Sequence, residues 1–210
     1  MSTLSKESIN RAIKILNDTY PDANCELGFE SVFQLLVAVV LSAQTTDASV
    51  NKVTPKLFGK YPDAHSISQM KEEELQGIIR SIGLYRTKAK NIIALSKIIS
   101  KEYNGQVPED YDKLIALPGV GRKSANVVLA SGFGQQRIAV DTHVFRVANR
   151  IGLVNEKNVL QTELSLMKVL PEEQWTKMHH ALIWHGRRIC ESRKPKCEIC
   201  PLAPICKKSK

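Results

Sequence analysis

The fold is decided by the stretch Leu114–Ala125, which reads Leu-Ile-Ala-Leu-Pro-Gly-Val-Gly-Arg-Lys-Ser-Ala. Pro118 ends one helical pattern, Gly119 and Gly121 make a tight turn, and Ser124 enters a second helix. The two glycines let the backbone take positive φ and come close to a ligand. The free N–H groups of the helix start, together with the helix dipole, suit a phosphate oxygen. The stretch therefore predicts a helix–hairpin–helix that binds a nucleic-acid backbone.

Lys123 lies in this turn, and two interpretations of it are open. A cation near a helix N-terminus lies against the helix dipole, which favours the neutral amine over the ammonium. A neutral amine can act as a nucleophile. The alternative is a surface lysine whose charge neutralises a phosphate group. The turn alone leaves both interpretations standing.

The charge of the chain indicates the kind of partner. The 210 residues suffice for one domain of ordinary size or two small ones. The 30 Lys and Arg residues exceed the 21 Asp and Glu residues, which gives a net charge of +9. Much of the excess lies in Arg187–Lys210, where eight basic residues accompany two acidic ones. This balance predicts a polyanionic partner.

Two stretches bear on the location of the protein. The N-terminal stretch Ser2–Glu7 lacks the apolar core of a secretory signal. The longest wholly apolar run, Leu35–Leu41, is much too short to span a membrane. We therefore expect a soluble, cytoplasmic protein.

Helical spacing of apolar residues recurs along the chain, and Gly, Pro or Asn separates the segments. Ser5 is a predicted N-cap of the first helix, and Thr46 or Asp47 of the third. Phe33–Ala43 is apolar almost all round, as a fully buried helix would be. Since no β alternation is found, an all-α fold is predicted. The predicted helices cover residues 5–20, 33–43, 46–58, 68–79, 85–103, 111–117, 122–134, 141–151, 159–170 and 171–188.

A second glycine-containing turn, Ser81–Ala89, opens a basic helix. Leu84 and Tyr85 follow Gly83, where we expect exposure. Proteins that distort DNA often insert an apolar side chain between base steps, which gives Leu84 a possible role. The alternative is that Leu84 packs beneath the next helix.

Asp141 follows three apolar residues, Ile138–Val140, and precedes a predicted helix. It can be the N-cap of that helix, or a catalytic carboxylate beside Lys123. His143 is by default a packed helix residue, with a metal ligand and a phosphate contact as its alternatives.

The tail cysteines have the spacing Cys190-x6-Cys197-x2-Cys200-x5-Cys206. Four thiols in so short a segment indicate a metal site and not a disulfide framework. Zinc and an iron–sulfur cluster both use four cysteines, and spacing alone leaves the two equally open. Cys25 stands apart and is predicted to be a buried free thiol.

Four motifs and the tail cysteines follow one another in a fixed order. The motifs are Leu-Ser-Ala-Gln-Thr-Thr-Asp (41–47), Ile-Gly-Leu-Tyr-Arg-Thr-Lys-Ala (82–89), Leu-Pro-Gly-Val-Gly-Arg-Lys-Ser-Ala (117–125) and Val-Asp-Thr-His-Val-Phe-Arg (140–146). Together they resemble the bacterial endonuclease III family of the helix–hairpin–helix DNA glycosylases. The resemblance covers nearly the whole chain and departs from the family pattern at no motif position. It favours a [4Fe–4S] cluster over zinc, because the cysteine spacing resembles the family's cluster loop.

The resemblance implies two α-helical domains. Residues 25–135 would form a six-helix barrel that contains the helix–hairpin–helix. Residues 1–24 and 136–210 would form a discontinuous domain with the C-terminal [4Fe–4S] cluster. DNA would lie across the cleft between the two domains, where Lys123 and Asp141 meet.

The resemblance also implies roles for single residues. Lys123 would be the nucleophile and Asp141 the catalytic aspartate. The implied cluster ligands are Cys190, Cys197, Cys200 and Cys206. The expected DNA contacts are Gln44 and Leu84, which would fill the gap left by an extruded nucleotide, the hairpin residues Gly119, Gly121 and Arg122, His143, and the basic loop residues Arg193, Lys194 and Lys196.

The implied function is that of a bifunctional DNA glycosylase and AP lyase of base excision repair. Such an enzyme flips out an oxidised pyrimidine, removes it through a lysine Schiff base, and nicks the strand 3′ to the abasic site by β-elimination. The expected partner is double-stranded DNA that contains oxidised pyrimidines or abasic sites. We expect a monomer that acts on the bacterial nucleoid, with a cluster that orders the basic loop.

Two other functions are weighed against this one. A monofunctional glycosylase, like the related adenine-mismatch enzymes, would use an activated water, but such relatives lack a lysine at the position of Lys123. A non-enzymatic DNA-binding protein would use its cluster to sense redox state and Lys123 only to contact phosphate. The pairing of Lys123 with Asp141 argues against it, because a carboxylate repels the DNA backbone.

Overall fold

The structure, a computed structural model, describes residues 3–208. Its secondary structure over these residues is helical, with eleven α-helices, two short 3₁₀ turns and no strand. The prediction of an all-α fold is therefore confirmed. Met1, Ser2, Ser209 and Lys210, which belong to the predicted discontinuous domain, lie outside the described residues.

The helices follow one another along the chain with short connections. They are α1 (Lys6–Thr19), α2 (Val32–Ser42), α3 (Asp47–Lys60), α4 (Ala64–Ser68), α5 (Glu72–Ile78), α6 (Tyr85–Glu102), α7 (Tyr111–Ile115), α8 (Arg122–Phe133), α9 (Thr142–Ile151), α10 (Val159–Val169) and α11 (Trp175–Arg188). The 3₁₀ turns are Glu172–Gln174 and Cys197–Ile199. None of the helices between residues 3 and 208 is both long and apolar enough to cross a bilayer.

The chain divides into two compact units. One unit comprises Met1–Cys25 together with Gln135–Lys210, and the other comprises Glu26–Gly134. The discontinuous unit contains α1 and α9–α11, whereas the continuous unit contains α2–α8.

The predicted helix over residues 68–79 begins too early, because Ser68 is the last residue of α4 and the rest of the helix, α5, begins at Glu72. Asp63 and Ser66 form a capping box that starts α4, a signal that the apolar spacing does not carry. Lys71 then has an extended backbone (φ −74°, ψ 144°), and three glutamates follow it in the first turn of α5. Their charges stabilise a new helix start at this point.

The continuous unit is built around α2. Every residue of Phe33–Leu41 is buried, which confirms the prediction of a fully buried helix. Packing of α2 against α8 depends on Gly132, where a Cβ atom would lie 2.9 Å from Val32 Cγ1. The helix ends at Ser42, so the motif Leu41–Asp47 leaves the core at the end of α2.

The discontinuous unit has a separate apolar core. It is formed by α1, α9, α10 and α11, and its most deeply buried side chains include Leu16, Val144, Val147 and Leu182. Ser5 caps α1 as predicted. Cys25, at the end of the first segment of this unit, forms no disulfide and is only half-buried, so the prediction of a buried thiol is wrong.

Most helix starts have a side-chain cap. Each capping side chain accepts a hydrogen bond from a backbone N–H in the first turn, and the capping residues are Ser5, Ser31, Thr46, Asp63, Asp110, Asp141 and Asn158. Neither α6 nor α8 has such a cap or an acidic residue in its first turn. Their first N–H groups therefore keep a partial positive charge that neither a side-chain cap nor an acidic first turn offsets.

Candidate functional site

The hairpin before α8 reverses the chain at Gly119. Its φ of +81° is in the left-handed region, and a Cβ atom there would lie 3.0 Å from the side chain of Asn91. Val120 N–H donates to Leu117 O at 3.1 Å, which closes the turn. Both the backbone angle and the close neighbour therefore require glycine at this position.

Gly121 differs from Gly119, because its backbone does not use the positive φ that glycine permits. It is the N-cap of α8 with φ −101° and ψ 177°, an extended conformation that any residue adopts. A Cβ atom there would meet nothing within 4 Å. One left-handed residue, Gly119, is enough to turn the chain. The fold itself gives no reason for a glycine at 121.

Two cations occupy the uncapped first turn of α8. Arg122 donates to Tyr111 Oη at 3.3 Å, and its guanidinium lies 5.7 Å from the centre of the Tyr111 ring. This contact ties the first turn of α8 to α7. Lys123, the second residue of the helix, is exposed. Two cations at the positive end of a helix are unfavourable unless an anion joins them.

The two proposed gap-filling residues share an unusual backbone conformation. Gln44 has φ +55° and Leu84 has φ +58°, both in the left-handed region that non-glycine residues rarely adopt. Both side chains are exposed, and that of Leu84 is 61% accessible. The alternative in which Leu84 packs beneath the next helix is therefore excluded. A Cβ atom on Gly83 would lie 3.9 Å from Gln44 O, so the two loops are neighbours.

Sequence reasoning missed Lys88, which connects these loops. This residue of α6 is only 5% exposed, and its ammonium donates to Leu41 O (2.8 Å), Ala43 O (2.7 Å) and Thr45 Oγ1 (3.0 Å). Burial lowers the pKa of Lys88. A signal was present in the sequence, because Lys88 shares the apolar face of its helix with Ile92.

Asp141 emerges from a buried segment of the discontinuous unit. Ile138–Val140 is buried, and Asp141 is half-buried at the start of α9. Its Oδ1 accepts hydrogen bonds from the backbone N–H groups of His143 and Val144, both at 2.8 Å. The interpretation of Asp141 as the N-cap of α9 is therefore confirmed, and it does not exclude a catalytic role. Both bonds use the same oxygen, which leaves the second carboxylate oxygen out of the cap.

His143 and Arg146 join α9 to the end of α11. Arg146 donates to Gly186 O (2.9 Å) and to Cys190 O (3.1 Å), and its guanidinium lies 3.1 Å from His143 Nδ1. Since arginine can only donate, Nδ1 of His143 is the acceptor and Nε2 carries the proton. Burial lowers the pKa of His143, which keeps the ring neutral.

The four tail cysteines form no disulfide with one another, and together they line one cavity of about 30 Å³. Arg150 shapes this loop, because it donates to Glu191 O and Ser192 O, both at 2.7 Å, and lies 3.7 Å from Cys190 Sγ. Within residues 3–208, no group of three or more His, Cys, Asp or Glu side chains is arranged to hold a metal ion.

A buried hydrogen-bond chain reaches one of the four thiols. Tyr20 Oη lies 3.0 Å from His185 Nδ1, and His185 Nε2 lies 3.5 Å from Cys200 Sγ. Burial lowers the pKa of His185 to about 4 and is the main cause that raises that of Tyr20 to about 12. A neutral imidazole that accepts from Tyr20 at Nδ1 has Nε2–H to donate to the sulfur.

The basic residues of the cysteine loop differ in their surroundings. Arg193 and Lys194 are exposed. Lys196, also predicted to contact DNA, pairs with Glu191 at 2.9 Å and donates to Arg188 O at 3.0 Å. Its ammonium therefore already has partners within the loop.

Each unit gathers part of the predicted site. The continuous unit holds the hairpin, Lys123, and the neighbouring loops of Gln44 and Leu84. The discontinuous unit holds Asp141 and the four tail cysteines. Because Lys123 and Asp141 belong to different units, their pairing stays a prediction.

Comparison with known proteins identifies similar chains. Residues 37–172 match the protein family HhH-GPD, which is described as "HhH-GPD superfamily base excision DNA repair protein". The chain is 49% identical to endonuclease III of Bacillus subtilis (strain 168) over 205 residues, which are 97% of this chain and 94% of that one. It is 50% identical to endonuclease III of Escherichia coli (strain K12) over 194 residues, 91% of this chain and 90% of that one.

A solved structure is also similar. It is described as a trapped endonuclease III–DNA covalent intermediate, and it matches this structure with a TM-score of 0.93 at 49% sequence identity. The match covers 98% of this chain and 97% of the other.

Proposed function

Because the chain belongs to the endonuclease III family of the HhH-GPD superfamily of base excision DNA repair proteins, we propose that Lys123 is its nucleophile and Asp141 its catalytic carboxylate. The activity of the chain is that of a DNA glycosylase and AP lyase. The observation that carries the residue assignment is Lys123 itself, an exposed amine in the uncapped first turn of α8. A relative that forms a covalent intermediate with DNA supports the assignment.

The substrate must first leave the base stack. A damaged base inside a duplex is out of reach of a nucleophile, so it is extruded, and a damaged base costs less to unstack. Gln44 and Leu84 are the residues proposed to enter the gap, and the exposure of both side chains and the closeness of their loops support this role. Double-stranded DNA with an oxidised pyrimidine such as thymine glycol, or with an abasic site, is the proposed substrate.

The reaction begins when neutral Lys123 attacks C1′ of the extruded nucleotide. The C1′–N bond to the base breaks, and the base leaves with its electron pair and takes up a proton. Loss of the amine proton and opening of the sugar ring give a Schiff base between Lys123 and C1′. The imine acidifies the C2′ proton, whose removal expels the 3′ phosphate by β-elimination and nicks the strand.

Asp141 can serve two of these steps. Its carboxylate can accept the proton that the lysine amine loses, or it can stabilise positive charge that develops on the sugar. The cap bonds from His143 and Val144 fix its orientation without removing its charge. The same aspartate therefore starts α9 and supplies the carboxylate.

The hairpin is proposed to hold the DNA backbone. The first N–H groups of α8 have no side-chain cap, and Arg122 adds positive charge beside them. A phosphate oxygen would satisfy these groups and relieve the repulsion between the cations and the helix dipole. The open space at Gly121 leaves room for such a group next to the backbone.

The four tail cysteines are proposed to hold a [4Fe–4S] cluster. Four cysteine sulfurs around one cavity, none of them in a disulfide, are the donor set that such a cluster takes, and His185 and Arg150 offer donors to two of the sulfurs. When bound, the cluster would link the four cysteines and so stabilise the conformation of their loop. Arg193 and Lys194 would then be held as phosphate contacts.

The domain assignment and the setting follow from the same proposal. The unit Glu26–Gly134 would be the helical barrel domain, and the discontinuous unit the cluster domain. We expect the enzyme to act as a monomer on the bacterial nucleoid in the cytoplasm.

The first prediction separates the charge of Asp141 from its cap. In Asp141→Asn the remaining oxygen still caps α9, so base release falls by about 100-fold or more while the fold is kept. Duplex binding stays equal or tightens, because a carboxylate that repels phosphate is gone. Single-turnover release of thymine glycol and fluorescence anisotropy measure the two effects.

Asp63→Asn, at the N-cap of α4, is the matched control and should release the base at the wild-type rate. Lys123→Gln should keep duplex binding while base release and strand nicking are lost together. Weaker duplex binding by Asp141→Asn without a catalytic defect would overturn the assignment.

The second prediction concerns the hairpin glycines. Gly121→Ala should leave the urea unfolding midpoint unchanged, since its φ suits alanine and its Cβ meets no protein atom, yet it should weaken duplex binding. Gly119→Ala should lower the free energy of unfolding by about 1–2 kcal/mol, because alanine is strained at positive φ. If Gly121→Ala binds the duplex as tightly as the wild type, no phosphate lies against that backbone.

The third prediction concerns the metal centre. Elemental analysis of the purified protein should give about four iron and four acid-labile sulfide per chain. Cys197→Ser should lose most of the iron, whereas Cys25→Ser should keep it, because Cys25 is remote in sequence and outside the cavity. About one zinc per chain and no sulfide would show that the loop is a zinc site instead.

A further inference from the structure

Lys88 is a buried cation whose hydrogen bonds all go to neutral oxygens. Two of the acceptors, Leu41 O and Ala43 O, lie at the C-terminal end of α2, and the third is the hydroxyl of Thr45. An ammonium has three N–H donors, so each donor has a partner. The end of α2 has no basic residue of its own in its last turn, and Lys88 of α6 supplies the charge that this end of the dipole favours.

Lys88 binds the residues on both sides of Gln44. Ala43 and Thr45, its direct neighbours, both accept from the ammonium. Gln44 itself has a left-handed backbone with φ +55°, which is strained for a residue with a side chain. Two anchored neighbours make the strained conformation the one that the loop keeps, and they direct the Gln44 side chain outward.

Lys88 is also bound to the second loop. Its backbone N–H donates to Leu84 O at 3.0 Å as part of the first turn of α6, so the Lys88 side chain joins the helix that Leu84 starts to the loop of Gln44. Leu84 too has a left-handed backbone, with φ +58°. One lysine thus contacts both loops that present exposed, strained side chains, and Gly83 lies against Thr45 between them.

We propose that Lys88 is a positioning residue that holds Gln44 and Leu84 as one preformed pair, so that both side chains can enter the gap of an extruded nucleotide together. The proposal rests on the proposed function, in which these two side chains contact DNA. Without the ammonium, Leu41 O would lose the donor that Lys88 provides, and Ala43 O would keep the longer bond from Thr45 Oγ1 at 3.5 Å. The Gln44 loop would then relax. The pair would then have to form during extrusion, which would slow that step.

The test measures extrusion directly. A duplex carries one thymine glycol opposite 2-aminopurine, whose fluorescence rises when it is unstacked, and stopped-flow mixing gives the rate. Lys88→Met should lower this rate by about 10- to 100-fold, the range expected for a displacement of about 1 Å. Lys90→Met, an exposed lysine of the same helix, makes the same change in charge and should change the rate by about twofold at most.

A second background separates positioning from general loss of structure. In the double variant Gln44→Ala, Leu84→Ala there is no pair left to position, so adding Lys88→Met should change extrusion by about twofold at most. If Lys88→Met costs as much in that background as in the wild type, the lysine acts elsewhere and the proposal is wrong.

A milder variant covers the case in which Lys88→Met does not fold. Thr45→Val removes the hydroxyl, which accepts from Lys88 and donates to Ala43 O, and keeps the shape of the side chain. It should slow extrusion less than Lys88→Met but more than Lys90→Met. A wild-type rate in Thr45→Val, with Lys88→Met unfolded, would contradict the proposal. If the wild-type protein itself neither extrudes nor releases the base, the proposed function is wrong. This outcome differs from failure of the positioning proposal, which shows only in a comparison of variants with an active wild type.

Discussion

The free N–H groups at a helix start attract negative charge, and the proposed site is built on three such starts. At α9 the charge is internal, because Asp141 accepts from two of the N–H groups and still carries a carboxylate. At α6 and α8 no side chain caps the helix, and the first turns carry cations instead of acids. A helix start that the protein leaves uncapped is suited to an anion from outside, and a DNA phosphate is such an anion.

The exposed parts of this site depend on a rigid interior. The helix α2 is buried along its length, and its C-terminal end is held by the buried ammonium of Lys88. The strain at Gln44 and Leu84 is sustained by that support and is located at residues proposed to meet DNA. In the discontinuous unit, Arg146 and Arg150 similarly fix the end of α11 and the cysteine loop through backbone carbonyls.

Local sequence patterns predicted the features of the fold that depend on residues close together in the chain. The all-α fold, the buried α2, and the caps Ser5 and Thr46 are confirmed, as is the family resemblance. Contacts distant in sequence were not predictable, since Lys88 meets oxygens that lie 43 to 47 residues away. The same limit applies to the Arg150 contacts with the cysteine loop. The two-glycine turn did not show which glycine reverses the chain, and of the two it is Gly119 that takes the positive φ.

The central claim is that the amine of Lys123 forms the covalent bond to C1′, and one mapping experiment tests it most directly. The protein is incubated with a thymine glycol duplex in the presence of borohydride, which reduces the Schiff base to a stable amine. The adduct is then digested with nuclease and trypsin and analysed by mass spectrometry. The account predicts the sugar remnant on the peptide Lys123–Arg137, because trypsin cuts after Arg122 but no longer cuts the peptide bond that follows a modified Lys123. An adduct on another residue, or base release that leaves no adduct, would contradict it.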